Sequence, residues 1–437
     1  MPARRGRAAR CYLTGVDWIV HGLDCMSKRA TGVGNTFVIV IEVEAVLREG
    51  EVREYVNRVT RKYPVVNGTV RRHYNLAPYW KMPSATRGAP AEINVHYLKR
   101  GADAAAVLEK AANTGFRRES EHLAFHLIIT PEGSQVAVTF DHRLFDAHGA
   151  EAFLGLLQQE WENGGSVGWV AAVAQGANLN HWGRKLAAGK RVNRAFLRLG
   201  GAGRVLPLAR RPVLGGARFR VVSLSGEQSQ GVMERAEREA GYLMAMPFAL
   251  AVAVESLHGV FASRGTGAGD YVIPVTVDSR TAAKAAQEVF FNHVSFLMFR
   301  IRPEDVEVRS SLLRCIKEQM YEQVRSGLAQ DIREASFLMR IAPLGVMSYV
   351  LRRYLKGEMA SFCFSFLRET RQVMNRFMGT EVRRSYHMPR VPMPPGLGVF
   401  FQETRGALSV YLSYTEGVLA EGEVDTIVES LKCRLVG

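Results

Sequence analysis

Short apolar runs alternate along this chain with segments whose apolar residues recur every three or four positions. The first run, positions 36–44, is rich in β-branched residues and predicts a central strand. Apolar residues then recur at helical spacing from Val52 to Val59, until Pro64 ends the predicted helix. The chain therefore begins with a strand followed by a helix.

Positions 123–130 and 135–140 predict a β-hairpin, with its turn at 131–134. The second strand alternates strictly and places Val136, Val138 and Phe140 on one face. His142 continues this apolar row if the strand geometry persists. A helical face of apolar residues follows between Ala150 and Trp161. The segment around His142 thus lies at a strand-to-helix junction.

The second half repeats this mixture of elements without a short-period repeat. We expect helices at about 227–240, 247–261, 308–324 and 421–435, and strands at 271–277, 294–301, 361–367, 396–402 and 408–414. Strands and helices in both halves favour an α/β (α+β) fold with two layered units.

The chain has 437 residues, of which 47% are hydrophobic, and this is enough to bury two cores. We divide it into an N-terminal unit at 1–180, a basic linker at 181–214 and a C-terminal unit at 215–437. Lysine and arginine accumulate between Trp182 and Arg211 without an acidic residue. Two interpretations stay open: an amphipathic helix that docks on anionic membrane or a carrier protein through Trp182, Leu186 and Phe196, or a solvated crossover.

The formal net charge of +15 favours polyanionic partners but does not choose among them. Five scattered cysteines suggest neither a disulfide framework nor a zinc knuckle, which favours a cytoplasmic location. The basic N-terminus lacks an apolar signal region, and no uncharged apolar segment reaches the ~18 residues of a membrane span. Peripheral membrane contact remains open.

The string Asp141-His-Arg-Leu-Phe-Asp-Ala-His-Gly149 carries the clearest chemistry. A histidine with a pKa near ~6.5 is largely neutral at cytoplasmic pH and can take a proton from a weak nucleophile. His142 is therefore our predicted general base. We interpret His148 as a helix-start histidine, because no other residues have zinc-ligand spacing, and we predict no metal site. The absence of a Gly-x-Ser-x-Gly elbow disfavours a serine hydrolase.

This string resembles the His-x-x-x-Asp motif of the chloramphenicol-acetyltransferase-like superfamily. That group includes condensation domains of nonribosomal peptide synthetases, wax ester synthase/diacylglycerol acyltransferases, plant BAHD enzymes and dihydrolipoamide acyltransferases. Asp141 stands where condensation domains often carry a second histidine, and the Asp-His-Arg order is most like that of dihydrolipoamide acyltransferases. Weaker similarities cover positions 13–17, 34–35, 63–64, 273–275, 292–295 and 407–414. The resemblance implies two such subdomains, each a mixed sheet covered by helices, with a tunnel between them.

The resemblance also implies roles for individual residues. Asp146 would pair with an arginine and hold the turn, while a simpler alternative is that it only caps the following helix. The expected arginine position holds Asp278, so Arg280 is the predicted partner and Arg143 the local alternative. Ser365 would donate a hydrogen bond to the oxyanion of the intermediate, and Asn292 and Ser295 are further predicted substrate-binding residues.

We therefore predict an acyltransferase that moves an acyl group from a phosphopantetheine thioester to a hydroxyl, amine or thiol. Coenzyme A or an acyl carrier protein would carry the acyl group, no cofactor would be bound permanently, and the protein would be a monomer. The first alternative is a catalytically silent relative that binds a carrier protein or an acyl chain. Specific nucleic-acid binding is disfavoured, because aromatic residues do not interleave with the arginine clusters.

Overall fold

The computed structural model describes positions 10–83, 90–163, 181–200, 215–265, 269–280, 288–347, 349, 360–368 and 374–437. Most of the described chain is built on two six-stranded sheets. The strands are β1 Arg10–Tyr12, β2 Thr36–Val43, β3 Thr69–Arg72, β4 Pro78–Lys81, β5 Glu92–Tyr97, β6 Leu123–Thr130, β7 Gly133–Asp141, β8 Ala217–Ser223, β9 Tyr271–Asp278, β10 Val294–Ile301, β11 Cys363–Leu367, β12 Arg376–Phe377, β13 Thr380–Pro389, β14 Leu397–Thr404 and β15 Ala407–Thr415.

The helices cover the sheets and connect their strands. They are α1 Gly15–Thr31, α2 Glu49–Lys62, α3 Ala105–Ala112, α4 Ala147–Glu162, α5 Trp182–Gly200, α6 Gly226–Ala240, α7 Ala245–Ser263, α8 Pro303–Val306, α9 Arg309–Ser326, α10 Leu328–Met339 and α11 Glu421–Val436, with a 3₁₀ turn at Pro64–Asn67.

The first sheet has the strand order β12-β13-β2-β7-β6-β5 and is antiparallel except between β5 and β6. One face of this sheet packs on α2 and α4. Its core combines Ile39 and Val138 from the strands with Tyr55 from α2 and Phe153 from α4. The alternating residues of the predicted hairpin, Val136, Val138 and Phe140, lie on this face. Phe140 is the last of them and precedes His142 by two residues.

The second sheet has the order β10-β9-β11-β14-β15-β8. Here β11 runs parallel to both of its neighbours, while the other pairs are antiparallel. Helices α6, α7, α9 and α11 bury their apolar faces against it in the largest core of the described chain. A separate three-stranded sheet, β1-β4-β3, lies beside the first unit. The protein thus has two layered α/β units, as the sequence predicted.

One segment crosses from the second unit to the first. Strands β12 and β13 follow β11 in sequence, yet β13 pairs with β2 along the edge of the first sheet. Strand β13 also contacts the second sheet, because the backbone N–H of His387 donates a hydrogen bond to the side chain of Gln402 in β14. The boundary at 215 stays a prediction about domains. Strands β12 and β13 lie beyond this boundary in sequence but belong to the first sheet.

Part of the predicted basic linker forms helix α5. Arg191 of α5 donates to the Asp331 carboxylate of α10 at 2.6 Å, and Arg184 lies 3.3 Å from Glu334. Phe196, which only the first of the two interpretations of this segment assigned to docking on a membrane or carrier protein, packs beside Val272 and Met298 of the second sheet. Trp182 and Leu186 are exposed, while positions 201–214 lie outside the described residues.

Helix α7 is long and apolar enough, by length and composition alone, to cross a membrane. In the structure 72% of its most apolar window is buried. The helix also carries Glu255, which is buried and accepts hydrogen bonds from Arg309 and Arg434. Its burial against the second sheet is typical of a core helix of a layered α/β unit.

Candidate functional site between the two sheets

His142 lies in a tight turn between the end of β7 and the start of α4. The backbone N–H of Leu144 and that of Phe145 both donate to the carbonyl of Asp141. Phe145 also forms an isolated β-bridge with Phe291, which precedes β10. The turn is therefore held by its own hydrogen bonds and by a segment of the second unit.

The His142 ring packs against Phe37 of β2, with ring centroids 4.9 Å apart. Burial lowers the pKa of the imidazole below its ordinary value of 6.5, although Asp146, Asp141 and Asn292 act in the opposite direction. Asn292 also donates from Nδ2 to the backbone carbonyl of His142 at 2.9 Å. The imidazole is therefore neutral near pH 7, which is the form that can accept a proton.

Asp146 begins α4 and makes two kinds of contact at once. Its Oδ1 atom accepts from the Gly149 backbone N–H at 2.8 Å, and Arg280 Nη2 lies 2.8 Å from the same oxygen. Oδ2 accepts from the backbone N–H of His293. Burial alone would raise the pKa of this carboxyl, but the Arg280 ion pair and these hydrogen bonds hold it below its ordinary value. Asp146 is thus a helix cap and an ion-pair partner together.

Gly149 completes the motif for a steric reason. A Cβ atom at this position would lie 2.3 Å from the carbonyl oxygen of Val289 and 3.1 Å from Asp146 Oδ1. Only a residue without a side chain allows the first turn of α4 to approach the segment before β10 so closely. The glycine therefore permits the contact through which Asp146 meets the second unit.

Asp141 and Arg143 form a separate buried cluster behind the turn. Arg143 Nη2 lies 2.6 Å from Asp141 Oδ2, and His122 Nδ1 lies 2.8 Å from the same atom. The ring of His122 reaches the carbonyl of Gly68 with its other nitrogen. Burial would raise the pKa of Asp141, but Arg143 and His122 hold it far below its ordinary value. Arg143 therefore pairs with Asp141 and is not the partner of Asp146.

A cavity of about 270 Å³ opens beside His142 between the two sheets. Its wall toward the second sheet is apolar and largely aromatic, while polar side chains gather around His142. The apolar part of the lining includes Phe296, Phe364, Phe366, Phe400 and Phe401. Cys363 also lines the cavity, but burial raises the pKa of its thiol to about 12, so it is not a thiolate nucleophile at neutral pH.

Comparison with solved structures reveals full-length similarity of this architecture to known proteins. The trichothecene 15-O-acetyltransferase of Fusarium sporotrichioides superposes with a TM-score of 0.71 at 14% identity, covering 100% of this chain and 96% of that one. The first condensation domain of the CDA synthetase gives a TM-score of 0.69 at 16% identity, covering 99% and 97% of the two chains. The chain has the chloramphenicol-acetyltransferase-like fold.

A cyclization-docking bidomain from Sorangium cellulosum is also similar, with a TM-score of 0.67 and 13% identity over 100% of this chain and 86% of that one. No protein-family model matches the sequence, and no curated protein is similar to it in sequence. The fold is therefore recognised through structure. In the sequence, the main indication of it was the His-x-x-x-Asp string.

The structure places the remaining predicted site residues in different surroundings. Ser365 lines the cavity from β11, and its Oγ accepts from Thr276 Oγ1 at 3.3 Å. Asn292 lines it beside His142. Ser295 is only 2% exposed, donates to the carbonyl of Ala329 at 2.7 Å and is not among the described lining residues. This position argues against the substrate-binding role predicted for Ser295.

A second polar cluster in the cavity was not predicted. His387 Nε2 of β13 lies 3.0 Å from Oε1 of the half-buried Glu151, whose Oε2 is 3.4 Å from His148 Nδ1. The nearby Glu151 carboxylate raises the pKa of His148 against the effect of burial. Burial would raise the pKa of Glu151, but the two histidines lower it to about 2. His148 lies in the first turn of α4, and its side chain also lines the cavity.

Sequence reasoning missed this cluster because it missed β13. A register shift between Val382 and Arg384 interrupts the alternation of that strand, and its charged residues obscure the apolar pattern. The only sequence signal was His387 itself. Among the residues that the structure describes, no group of three or more His, Cys, Asp or Glu side chains is arranged to hold a metal ion.

Proposed function

We propose that the protein is an acyltransferase in which His142 is the general base. The observation that carries this proposal is the position of a neutral imidazole, on a rigid strand-to-helix turn, at the edge of a cavity between the two sheets. The fold, shared with condensation domains and an acetyltransferase, supports acyl transfer as the reaction class.

The chemical step follows from the state of this histidine. A ring nitrogen of His142 accepts the proton of an acceptor hydroxyl, amine or thiol while the acceptor atom forms a bond to the thioester carbonyl carbon. Collapse of the tetrahedral adduct breaks the carbon–sulfur bond, and the imidazolium returns the proton to the departing thiolate. Ser365 is the proposed donor to the oxyanion, because it faces the cavity from the opposite sheet.

The two walls of the cavity suggest where the substrates bind. The aromatic wall of the second sheet offers apolar surface to the acyl chain, and the polar groups near His142 surround the acceptor. The acyl donor would be a phosphopantetheine thioester, on coenzyme A or on a carrier protein. The net charge of +15 suits both, since each carrier is negatively charged. A cytoplasmic, monomeric protein with possible peripheral membrane contact remains part of this proposal.

The proposal is tested by thiol release. Purified protein is mixed with acyl-CoA of graded chain length, or with acyl carrier protein, in the presence of hydroxyl, amine and thiol acceptors. We expect acceptor-dependent release of free thiol, and a loss of about 100-fold or more in kcat for His142→Ala. His96→Gln, on edge strand β5 outside the described cavity lining, is the matched control and should retain activity.

Two results would contradict the proposal in different ways. Turnover retained in His142→Ala would show that another group is the base. Wild-type protein that binds a donor without releasing thiol to any acceptor would favour the catalytically silent alternative.

A further inference from the structure

Arg390 is the only lysine or arginine among the described residues that line the cavity. It directly follows β13 and is 5% exposed. Its Nη1 atom donates to the carbonyl of Ala112 at 3.2 Å and to Asn113 Oδ1 at 2.9 Å, and Nη2 donates to Thr31 Oγ1 at 2.7 Å. The guanidinium is therefore fixed between the ends of α1 and α3 by uncharged acceptors.

The charge of Arg390 has no counter-ion within the described chain. Arg143 and Arg280, the other arginines near His142, each lie within 3 Å of a buried aspartate, Asp141 and Asp146 respectively. No carboxylate of the described residues forms such a pair with Arg390. Burial lowers its pKa to about 10, and no neighbouring charge opposes the change. The side chain is nevertheless protonated at neutral pH, so the residues that line the cavity include a positive charge that no carboxylate of the described chain neutralises.

A buried charge without a partner is costly, and the carbonyls at the end of α3 offset it only in part. The three hydrogen bonds of Arg390 leave its Nε–H and one N–H of Nη2 without an acceptor among the described residues. Nε–H belongs to an edge of the guanidinium that can bind both oxygens of a carboxylate. An anionic hydrogen-bond acceptor would satisfy both the free N–H donors and the unpaired positive charge.

We propose that Arg390 binds a carboxylate carried by one of the substrates inside the cavity. The inference rests on the proposed function, since it places that substrate beside His142. A carboxylate fits better than a donor phosphate, because Arg390 is enclosed and the cavity of about 270 Å³ cannot admit the nucleotide or protein attached to that phosphate. The carboxylate belongs either to the acceptor or to the far end of a dicarboxylic acyl group.

The first experiment measures binding and needs no turnover. Isothermal calorimetry compares 3-phenylpropanoate with 3-phenylpropanamide, which has the same shape without the charge. We expect wild-type protein to bind the carboxylate about ten-fold or more tightly than the amide, because hydrogen bonds between charged groups are the stronger kind. Arg390→Gln should remove this preference while leaving amide binding unchanged, and Arg390→Lys should retain part of it.

Two controls separate binding from a structural role. Arg220→Gln removes a charge from an exposed pair with Glu421 and should leave the preference intact. Thr31→Val removes one anchor of Arg390 without removing the charge and should weaken the preference less than Arg390→Gln does. Equal weakening of carboxylate and amide binding in Arg390→Gln, with a lowered Tm, would show that Arg390 only ties the two helices together and would overturn the proposal.

The second experiment identifies the source of the carboxylate. Thiol release is compared between adipoyl-CoA and hexanoyl-CoA, and between amino acids and their amides as acceptors. If wild-type protein prefers adipoyl-CoA and Arg390→Gln abolishes this preference, the carboxylate belongs to the donor. If wild-type protein prefers amino acids over their amides and the variant abolishes that preference, the carboxylate belongs to the acceptor. The proposal would be overturned if Arg390 were needed to distinguish coenzyme A from pantetheine while the wild-type protein distinguished no carboxylate from its amide. Carboxylate binding without any turnover would instead contradict the proposed function and leave the anion site standing.

Discussion

Arg280 Nη2 lies 2.8 Å from Asp146 Oδ1, and this ion pair joins the end of β9 in the second sheet to the start of α4 under the first. Both side chains are almost wholly buried, at 1% and 2% exposure. Arg280 also donates from Nε to the carbonyl of Glu288. The turn that carries His142 is thereby fixed from both units at once.

Replacing Arg280 by Met should destabilise the protein strongly. The change leaves the Asp146 carboxylate buried without its partner, which typically costs about 3–5 kcal/mol. Urea denaturation at pH 7 measures the free energy of unfolding. Arg220→Met, in an exposed pair with Glu421, is the matched control and should cost less than about 1 kcal/mol. Similar losses in the two variants would mean that the buried pair contributes nothing specific.

The rate of acyl transfer should depend on pH through His142. Only the neutral imidazole accepts a proton, and burial lowers its pKa below 6.5. We therefore expect kcat/KM to be constant above about pH 7 and to fall in acid, with a midpoint below 6.5. Unfolding followed over the same pH range separates this limb from acid denaturation. A midpoint at or above 6.5 would show that the nearby carboxylates outweigh burial.

The local pattern of this chain predicted most of its strands and helices, because their apolar spacing is regular. The hairpin β6–β7, helix α7 and the closing pair β14–β15 all lie within a few residues of their predicted positions. Strands β1, β3, β4, β5, β12 and helices α1, α3, α8 and α10 were not predicted. Strands β8 and β13 were also missed, since charged residues interrupt their patterns. Their pairing depends on partners far away in sequence, which local spacing does not report.

The same limit applies to the site. His142 and Asp146 could be found in one short string, and Arg280 could be guessed from its distance to a related position. His387, Glu151 and Arg390 could not, because two of them depend on the crossing of β13 to the first sheet and Glu151 has no sequence signal beyond its helix. Ser295 shows the converse error: a polar residue near a motif can point into a neighbouring helix.

Replacing Gly149 by Ala should lower both the stability of the protein and its kcat. The added Cβ would meet the carbonyl of Val289 at 2.3 Å, so the start of α4 and the segment before β10 must separate. We expect lower stability together with a marked loss of kcat, because Asp146 and His142 move with the turn. Gly231→Ala in α6, where a Cβ meets nothing within 4 Å, should instead stabilise by about 1 kcal/mol or less. Unchanged activity in Gly149→Ala would contradict the steric account.

The proton affinity of His148 should depend on Glu151. The carboxylate raises the pKa of His148 above 6.5, whereas burial acts to lower it. Glu151→Gln removes the charge with little change of shape, so burial should then dominate and the pKa should fall below its wild-type value. Titration of the His148 ring by NMR measures this directly and does not require turnover.

His387→Gln provides the matched comparison for this titration. It removes the second histidine that contacts Glu151 but keeps the carboxylate, so the pKa of His148 should stay above 6.5. The Glu151 carboxylate keeps its negative charge in this variant, so the raised pKa of His148 should persist. An equal fall of the His148 pKa in both variants would show that packing around the cavity, and not the Glu151 charge, sets its protonation.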